Sequence, residues 1–435
     1  MGEFAIASHM AIISIYLLYY LTNVHHFPGA LAGTLILIPR LANAVTDPLM
    51  GGVSDRVRSR WGRRRPFLLA GSLVWAIAYA AMFWMPMEWS LFQKSAWFLV
   101  ACLFVNMGLS LYHVPYSAML PEMTRNPQER LALSGYKEIA ARFAVLLTVM
   151  ASPFIVKFAP TPLTGYRWVG LATGAFILFS GLTVFFATAR APCEAFQPQT
   201  MSWRQQLNTF RQNRQLFRLS GAFLLSSACD AFYSAMMIYF LTVSLRGDAS
   251  LMGVLYPTGS LTAMAMTVAW SYFGKRVGRK RACELAFIGT GVVFALALLM
   301  PPGQTTAMYP YMIVLGAFMA GMFLLPSSMT PDTVELDEQM SGQRREGAIY
   351  GAWIFTQQTG MAFGAFLVGI YLDLVGYQPA LAVTEPERFS LAIKLGFGLV
   401  PAFLMLLAVF LIRPLTIGGR TALSPEAPPA DVFPI

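Results

Sequence analysis

Stretches without a charged residue follow one another along almost the whole chain, and each is about long enough to cross a membrane. No Asp, Glu, Lys or Arg occurs in residues 4–39, 66–87, 95–121, 168–189, 249–274, 285–331, 347–372 and 395–412. A transmembrane helix needs about 20 predominantly apolar residues, so most stretches can hold one helix and residues 285–331 can hold two. Charged residues make up 12% of the 435-residue sequence, whereas soluble domains carry about 25%. The sequence therefore predicts an all-α membrane protein.

Dividing these stretches at Pro, Gly and polar breaks predicts twelve transmembrane helices. The expected ranges are 3–23, 31–54, 66–86, 93–120, 134–158, 166–190, 218–244, 249–273, 280–300, 306–330, 344–376 and 390–413. The first range is interpreted as a retained span, because it lacks the basic region and cleavage site of a removable signal peptide.

The placement of the basic residues, which give the chain a net charge of +10, predicts how the chain is oriented in the bilayer. Most of the 31 Lys and Arg residues lie in the loops after the even-numbered helices and in the C-terminal tail. By the positive-inside rule these loops and both termini are cytoplasmic, here on the inside of a bacterial inner membrane. Since apolar spans separate the basic loops, no continuous basic face is expected for nucleic acid.

Neither an enzymatic activity nor a metal or cofactor is expected. The four cysteines lack CxxC or ligand spacing, which disfavours a disulfide scaffold and a zinc site. The sequence contains no HExxH, GxSxG, P-loop or GxGxxG motif. His9, His25 and His26 do not have the spacing of converging metal ligands.

Two segments of the first half recur in the second half. Gly62-Arg63-Arg64-Arg65 is followed 216 positions later by Gly278-Arg279-Lys280-Arg281, and Tyr19-Tyr20-Leu21-Thr22 is followed 220 positions later by Tyr239-Phe240-Leu241-Thr242. Two six-helix bundles in parallel topology, with a solute site between them near the bilayer midplane, are typical of secondary transporters. Because one chain carries both halves of such a site, a monomer is expected.

The predicted organisation has four parts. An N-terminal bundle at 1–190 and a C-terminal bundle at 218–413 are joined by a cytoplasmic connector at 191–217. The connector interleaves aromatic and Leu residues with Arg, which indicates an amphipathic helix on the lipid surface. The tail at 414–435 is rich in Pro and Ala and is expected to be disordered.

The loop after the second helix contains a motif that is expected to act in gating. Its sequence Gly51-Gly52-Val53-Ser54-Asp55-Arg56, followed by Gly62-Arg63-Arg64-Arg65, resembles the signature loop of the major facilitator superfamily. The resemblance implies that the acidic residue pairs with an arginine and caps a helix end, as a latch that breaks when the cytoplasmic face opens. The gating residues expected here are Asp55, Arg56, Arg63 and Arg64.

Three further segments resemble the glycoside-pentoside-hexuronide:cation symporter family, of which melibiose permease is the best-known type. They are Asp47-Pro48-Leu49-Met50-Gly51, Val114-Pro115-Tyr116-Ser117-Ala118-Met119-Leu120-Pro121-Glu122-Met123-Thr124, and Pro331-Asp332-Thr333-Val334-Glu335-Leu336-Asp337-Glu338 with Gly342-Gln343-Arg344-Arg345-Glu346-Gly347. The Arg-Arg-Glu-Gly element is the most specific, and its Arg344, Arg345 and Glu346 are further expected gating residues. The resemblance implies the twelve-helix facilitator fold and solute transport.

The cation site that the resemblance implies is incomplete in this chain. The family uses two aspartates one helical turn apart in helix two, and these positions hold Asn43 and Asp47. Loss of one carboxylate disfavours sodium coupling, whereas Asp47 alone can accept a proton when buried. Asn43 can still offer an oxygen to sodium, and a facilitator needs no coupling ion, so these modes remain open.

The implied galactoside site is also changed. Where melibiose permease has an aspartate in helix one, an aspartate and a tryptophan in helix four and a lysine in helix eleven, this chain has Ala7, His113, Ser117 and Gln358. The resemblance therefore implies a retained scaffold with different ligand chemistry. Gln357, Gln358 and Thr359 form a polar turn in helix eleven, which is consistent with recognition of hydroxyl groups.

Ionisable residues inside the spans are expensive in lipid and favour a functional interpretation. Arg40 and Asp47 lie two turns apart in helix two, too far for direct pairing. We expect Asp47 and His113 to form either a proton-linked pair or a structural hydrogen bond. Asp230 in helix seven is expected to bind polar solute groups or to accept hydrogen bonds from neighbouring Ser and Tyr hydroxyls.

Several aromatic residues are candidates to stack on a sugar ring, although packing is their commoner role in membrane helices. They are Tyr16, Tyr20, Tyr112, Tyr116, Trp353 and Phe355.

Three functions fit the sequence. A proton-coupled sugar or glycoside transporter would have a polar central cavity lined by Asp47, His113, Asp230 and Gln358. A carrier of an amphipathic lipid such as a lysophospholipid would have an apolar lateral opening. A non-transporting assembly factor would have no through-going cavity.

Overall fold

Twelve long helices form the part of the chain that the computed structural model describes, which is residues 1–57, 59, 61, 64–123, 127–189, 213–341 and 345–417. In the N-terminal half they are α1 (Gly2–Ile15, continued by Leu17–Tyr19), α2 (Gly29–Arg56), α3 (Arg65–Met82), α4 (Leu91–Met123), α5 (Pro127–Phe158) and α6 (Pro162–Ala187). In the C-terminal half they are α7 (Arg214–Tyr239), α8 (Met252–Val277), α9 (Arg279–Leu296), α10 (Met308–Ser341), α11 (Glu346–Leu374) and α12 (Pro386–Ile412). A short helix, Pro379–Thr384, precedes α12.

Local signals in the sequence set several of these helix ends. The Thr161 hydroxyl accepts a hydrogen bond from the Thr164 N–H at 3.2 Å, with Pro162 in the first turn of α6. The Asn213 side chain accepts one from the Leu216 N–H at 3.0 Å at the start of α7. These caps satisfy backbone donors that an α-helix leaves unpaired at its N-terminus.

The predicted helix ends differ most from the structure in three places, one of which is helix five, expected to begin at 134 but beginning at Pro127. Helix one, expected to be continuous, bends by 47° between Gly2–Ile15 and Leu17–Val24. Helix ten is expected to end at 330, but α10 runs to Ser341, so the polar motif from Pro331 to Glu338 is helical. A helix can extend from lipid into water with charged residues on its surface, because its backbone hydrogen bonds remain within the helix. The connector at 191–212 and the tail beyond Ile417 lie outside the described residues.

Most of the described helices have the length and composition of a membrane span. Nine qualify, or ten when the bent α1 is taken as one span. The α2 helix qualifies only as a shorter apolar segment, Gly29–Asn43, and α11 contains the polar pair Gln357 and Gln358. The chain is a multi-pass membrane protein.

Contacts between helices repeat from one half to the other. In the first bundle α3 packs on α4 and α6, α2 on α4, and α1 on α5 and α6; in the second bundle each corresponding pair, six helices later, also packs together. Three pairs join the bundles: α2 with α11, α5 with α8, and α1 with α7. The protein is therefore two pseudo-symmetric six-helix bundles whose shared interface follows these three pairs.

The sequence repeat at Tyr19 and Tyr239 has the same backbone shape in both halves. A π-helical turn spans Tyr20–Val24 after α1 and Phe240–Ser244 after α7. A left-handed residue closes each turn, His26 with φ 58° and Arg246 with φ 52°. The repeat predicted from the tetrapeptides is thus also present in the backbone.

Candidate transport site

A small cavity with both apolar and polar walls lies at the interface between the bundles. Its polar lining comes from His9 on α1, Arg40 and Asn43 on α2, Asn106 on α4, and Gln358 on α11. Its volume is about 30 Å³, enough for a water molecule, whereas ligand pockets usually have about 300–1,000 Å³. The cavity as it stands is too small to hold a solute of sugar size.

Two hydrogen bonds, one helical turn apart, connect α2 to α4 beside this cavity. Asn43 Nδ2 donates to Asn106 Oδ1 at 2.8 Å, and the Ser110 hydroxyl donates a short bond to Asp47. Thr46 adds a hydroxyl contact to Ser110 at 3.2 Å. The side-chain oxygen of Asn43 is buried and has no hydrogen-bond partner among the described residues. It is therefore an acceptor available to a solute hydroxyl or a cation.

His9 has a fixed tautomer. Its Nδ1 lies 3.3 Å from the indole Nε1 of Trp75, and its ring also packs against Tyr79. Because an indole N–H can only donate, Nδ1 must accept, and the neutral imidazole carries its proton on Nε2. The sequence disfavours His9 as a metal ligand and predicts no other role for it. In the structure His9 is a neutral hydrogen-bond donor in the cavity wall.

Arg40 has no counter-ion among the described residues. It forms no hydrogen bond or ion pair within the described part of the chain, and its Nη2 is buried and unpartnered. Desolvation of an unpaired charge is costly, and ionisable groups at membrane depth default to a functional role. The cavity therefore has an uncompensated positive charge in its wall.

The other predicted binding residues do not line the cavity. His113 lies within electrostatic range of Asp47 and of Lys137, but no hydrogen bond joins His113 to Asp47 in the described structure. Asp230 lies within electrostatic range of Arg142 on α5 of the opposite bundle, and the described residues form none of the expected hydrogen bonds from Ser or Tyr hydroxyls to it. Four residues were expected to line the central cavity. Gln358 lines it, whereas Asp47, His113 and Asp230 do not.

The predicted aromatic residues Tyr116 and Trp353 pack against other side chains. Trp353 is 7% exposed and stacks on Phe223 with ring centroids 4.0 Å apart, inside the C-terminal bundle. Tyr116 stacks on Tyr112 at 5.6 Å, with the Lys137 ammonium 5.4 Å from its ring centroid. In this conformation both serve packing, the commoner role of aromatic residues in spans.

Among the expected gating residues, Arg345 has a well-defined partner. Its guanidinium forms two hydrogen bonds with Asp337, at 2.8 and 2.7 Å, and the side chain of Asp337 is 2% exposed. Both residues belong to the C-terminal bundle, so the pair ties the turn between α10 and α11. Arg64 is buried.

The remaining expected gating residues cannot be placed. Arg63 and Arg344 lie outside the described residues, as do the side chains of Asp55, Arg56 and Glu346.

The repeated Gly-Arg motif has an ion pair in the second half. Arg279, which directly follows Gly278 at the start of α9, donates to both carboxylate oxygens of Asp332 at 3.0 and 2.7 Å, and to the Ser328 carbonyl at 2.6 Å. Asp332 lies in the family motif of α10. The repeated Gly-Arg motif and the family motif of α10 therefore meet in one ion pair.

One end of the interface between the bundles is closed. We call it the odd-loop end, because the loops after the odd-numbered helices lie there. The Thr22 and Tyr239 hydroxyls are 2.5 Å apart, and Asp373 on α11 accepts hydrogen bonds from the N–H groups of Gly29 and Ala30 at 2.6 and 2.8 Å. Asp373 thus caps the N-terminus of α2 from the opposite bundle. An exposed Lys157–Asp248 ion pair at 3.1 Å also crosses the interface there.

Sequence reasoning missed Asn106 and Ser110. Their spacing of four residues matches that of Asn43 and Asp47, so both pairs face one another across two packed helices. That matching spacing is a signal in the sequence, but it requires knowing that α2 packs on α4. His9 and Trp75 are 66 positions apart, and nothing in the sequence joins them.

Two parallel six-helix bundles around an interfacial cavity with polar side chains in its wall define a secondary transporter of the major facilitator fold. The chain belongs to the family described as MFS/sugar transport protein, whose sequence profile matches residues 1–418. The resemblance to the glycoside-pentoside-hexuronide symporters is confirmed, and membership places the chain among transporters rather than enzymes.

Individual relatives match over nearly their full length. The glucuronide carrier protein homolog of Escherichia coli (strain K12) is 30% identical over 95% of this chain and 90% of that protein. The isoprimeverose transporter of Lactiplantibacillus pentosus is 24% identical over 95% and 88%. Among solved structures, a bacterial homolog of the human lysosomal transporter Spinster, inward-facing and unoccupied, has a TM-score of 0.70 at 12% identity over 94% and 95% of the chains. The last similarity concerns the fold alone.

Proposed function

We propose that the protein imports a sugar or glycoside across the bacterial inner membrane by alternating access, coupled to protons through Asp47. The interfacial cavity carries the proposal, because it offers an unpaired Asn43 acceptor and the Gln358 amide between two bundles. Side-chain amides can form hydrogen bonds with the hydroxyl groups of a sugar. The relatives named as carriers of a glucuronide and of isoprimeverose support this solute class.

In this proposal the structure is a state that is closed at the outer end. The basic even-numbered loops put that end of the molecule and both termini in the cytoplasm. The odd-loop end is then the outer end, and its closure blocks the outer path. Solute release requires the bundles to part near Asn43 and Gln358, and reloading requires the contacts around Asp373 to break.

Asp47 is the proposed proton carrier because it is a span carboxylate with one neutral hydrogen-bond donor, Ser110. A single carboxylate can bind a proton, whereas the family's cation site uses two carboxylates. Outside the spans, burial and the nearby Lys94 and Arg167 lower the pKa of His25 to about 4. His25 therefore stays neutral between pH 5 and 8, and it does not produce a pH dependence of transport there.

Replacing Asp47 with Asn is expected to abolish uphill accumulation while retaining exchange. Asn keeps the Ser110 contact but cannot carry a proton, so the solute should only equilibrate across the membrane. The measurement is pH-gradient-driven uptake and solute counterflow in proteoliposomes, each with and without sodium. Accumulation by Asp47→Asn equal to that of the unmodified protein would remove Asp47 from coupling.

Ser110→Ala is the matched control. It removes the hydrogen bond to Asp47 but keeps the carboxylate, so accumulation should persist with a shifted pH dependence. If sodium without a pH gradient drives accumulation in the unmodified protein, the proton coupling is wrong. If lysophospholipids but no sugar are carried, the solute class is wrong.

A further inference from the structure

Three basic residues come together at the odd-loop end of the N-terminal bundle. His25 follows the π-helical turn after α1, and Lys94 and Arg167 lie near the N-termini of α4 and α6. Lys94 is 8% exposed and lies on the same face of α4 as the fully buried Phe98, and His25 is 2% exposed. The groups that act electrostatically on His25 are Lys94, Arg167 and His26, all of them basic. Positive charge is therefore concentrated at this place.

These cations have no acidic partner in the part of the chain that the structure describes. Neither Lys94 nor Arg167 forms an ion pair there. The guanidinium carbon of Arg167 lies 5.2 Å from the centroid of the Trp84 ring, and its Nη2 lies 3.5 Å from the carbonyl oxygen of Met85. Its Nε is buried without a partner. Because buried donors and charges without partners are costly, we expect an anion from outside the chain to complete the cluster.

His25 is oriented so that it can report such an anion. The Tyr20 hydroxyl donates its one proton to the Phe83 carbonyl at 3.1 Å, so it accepts a hydrogen bond from His25 Nε2 at 2.8 Å. The other ring nitrogen, Nδ1, is buried and has no partner. A nearby anion favours the protonated ring. Anion binding should therefore raise the pKa of His25 from about 4, the value to which burial and the nearby cations lower it.

We propose that Lys94 and Arg167 bind the phosphodiester group of a phospholipid at the odd-loop surface of the membrane, which is the outer leaflet in the orientation proposed above. Three tryptophans at this end, Trp84, Trp97 and Trp168, are 49, 39 and 46% exposed. Exposed tryptophans of membrane proteins lie at the level of the lipid headgroups, and Arg167 stacks on the first of them. This level favours a lipid phosphate over a soluble anion.

The chemistry of a phosphodiester fits the two cations. It has one negative charge and two free oxygens that accept hydrogen bonds. A guanidinium offers a planar fork of N–H donors to such oxygens, and an ammonium adds a point charge with three donors. Basic pockets at the ends of membrane helices are suited to lipid headgroups for this reason.

A lipid at this site lies next to the closed end of the interface between the bundles. His25 is bonded to Tyr20, which begins the π-helical turn, and Thr22 of the same turn contacts the Tyr239 hydroxyl of the other bundle. A headgroup that neutralises the cluster therefore stabilises the wall against which the C-terminal bundle closes. The inference does not depend on which solute is carried.

The test separates the phosphate from the acyl chains. Thermal stabilisation and native mass spectrometry are measured on the delipidated full-length protein in detergent with three probes. Dioleoylphosphatidylglycerol has both parts, dioleoylglycerol lacks the phosphate, and glycerophosphoglycerol lacks the chains. A ligand that binds the native state raises its apparent stability. We expect the phospholipid to bind about tenfold or more tightly than either partial probe, as a charge-assisted contact added to chain burial provides.

Variants test the two cations. Lys94→Gln combined with Arg167→Gln should weaken binding of the phospholipid about tenfold or more, whereas Arg167→Lys, which keeps the charge, should retain most of it. Arg388→Gln is the control, because Arg388 is an exposed basic residue at the same end that lies beside Glu385. Phospholipid binding by the double variant equal to that by Arg388→Gln would overturn the site.

His25 supplies an independent readout. In the protein with labelled histidine, dioleoylphosphatidylglycerol should raise the pKa of His25 by about one unit, and dioleoylglycerol should leave it unchanged. An unchanged pKa with the phospholipid bound would contradict a headgroup at this cluster. Equal binding of dioleoylglycerol would assign the affinity to the acyl chains, and equal binding of glycerophosphoglycerol would assign the site to a soluble anion. Either result overturns the lipid site and leaves the proposed sugar transport standing.

Discussion

Replacing Arg345 with Ala is expected to lower the free energy of unfolding by about 3–5 kcal/mol, the usual cost of removing one partner from a buried ion pair. Asp337, with its side chain 2% exposed, would keep a buried carboxylate that has lost two charge-assisted hydrogen bonds. The measurement is reversible unfolding in mixed detergent micelles, followed by circular dichroism.

An exposed ion pair of the same bundle provides the control. Arg388 lies 3.7 Å from Glu385, with both side chains more than half exposed, so Arg388→Ala should cost no more than about 1 kcal/mol. Removing both partners of the buried pair, as Arg345→Ala with Asp337→Ala, should recover part of the stability because no unpaired charge remains. If Arg345→Ala costs no more than Arg388→Ala, the buried pair does not stabilise the turn.

Gly369→Val is expected to keep the odd-loop end from closing. A Cβ atom at position 369 would lie 2.2 Å from the carbonyl oxygen of Gly29 in the other bundle. Overpacking costs about 1–3 kcal/mol, and about 1.4 kcal/mol is a tenfold change in population. The closed state, and transport with it, should fall about tenfold or more, because the obstructing atom belongs to a backbone that cannot rotate away.

Two measurements distinguish blocked closure from misfolding. A cysteine at Thr22, whose hydroxyl contacts Tyr239 at 2.5 Å, should be alkylated faster in Gly369→Val than in the unmodified protein, while thermal stability should change little. Gly351 on the same helix is the control position, because a Cβ atom there would meet no neighbour within 4 Å among the described residues. Gly351→Val should therefore transport normally, and an equal loss in both variants would contradict the prediction.

The sequence predicted the fold well because lipid imposes strong constraints on composition. Charge-free runs located the helices, and the repeats at Tyr19 and Gly62 predicted two halves that the helix contacts show. The bend at Tyr16 was missed, because no Pro or Gly marks it and the residues on both sides have the apolar composition of an ordinary helix. The helical extension of α10 was missed because hydropathy marks only the part of a helix that lies in lipid.

The site was less predictable than the fold. Asn43, Arg40 and Gln358 were identified from one resemblance and from charge inside spans, and all three line the cavity. Trp353, a sugar-stacking candidate by sequence, packs on Phe223 in this conformation, because sequence does not show which face of α11 meets α7. His9 acquires its chemistry from Trp75 on another helix, a contact that only the tertiary structure provides.

The two π-helical turns indicate that the two halves have a common ancestor. Each follows the first helix of its bundle, occupies the matching position of the repeated tetrapeptide, and ends in a left-handed residue that is not glycine. Such turns are rare and cost stability, so the same device at the same place in both halves is best explained by common descent. The π-helical turn was already present in an ancestral six-helix unit. Duplication of that unit produced the two halves that now contact one another.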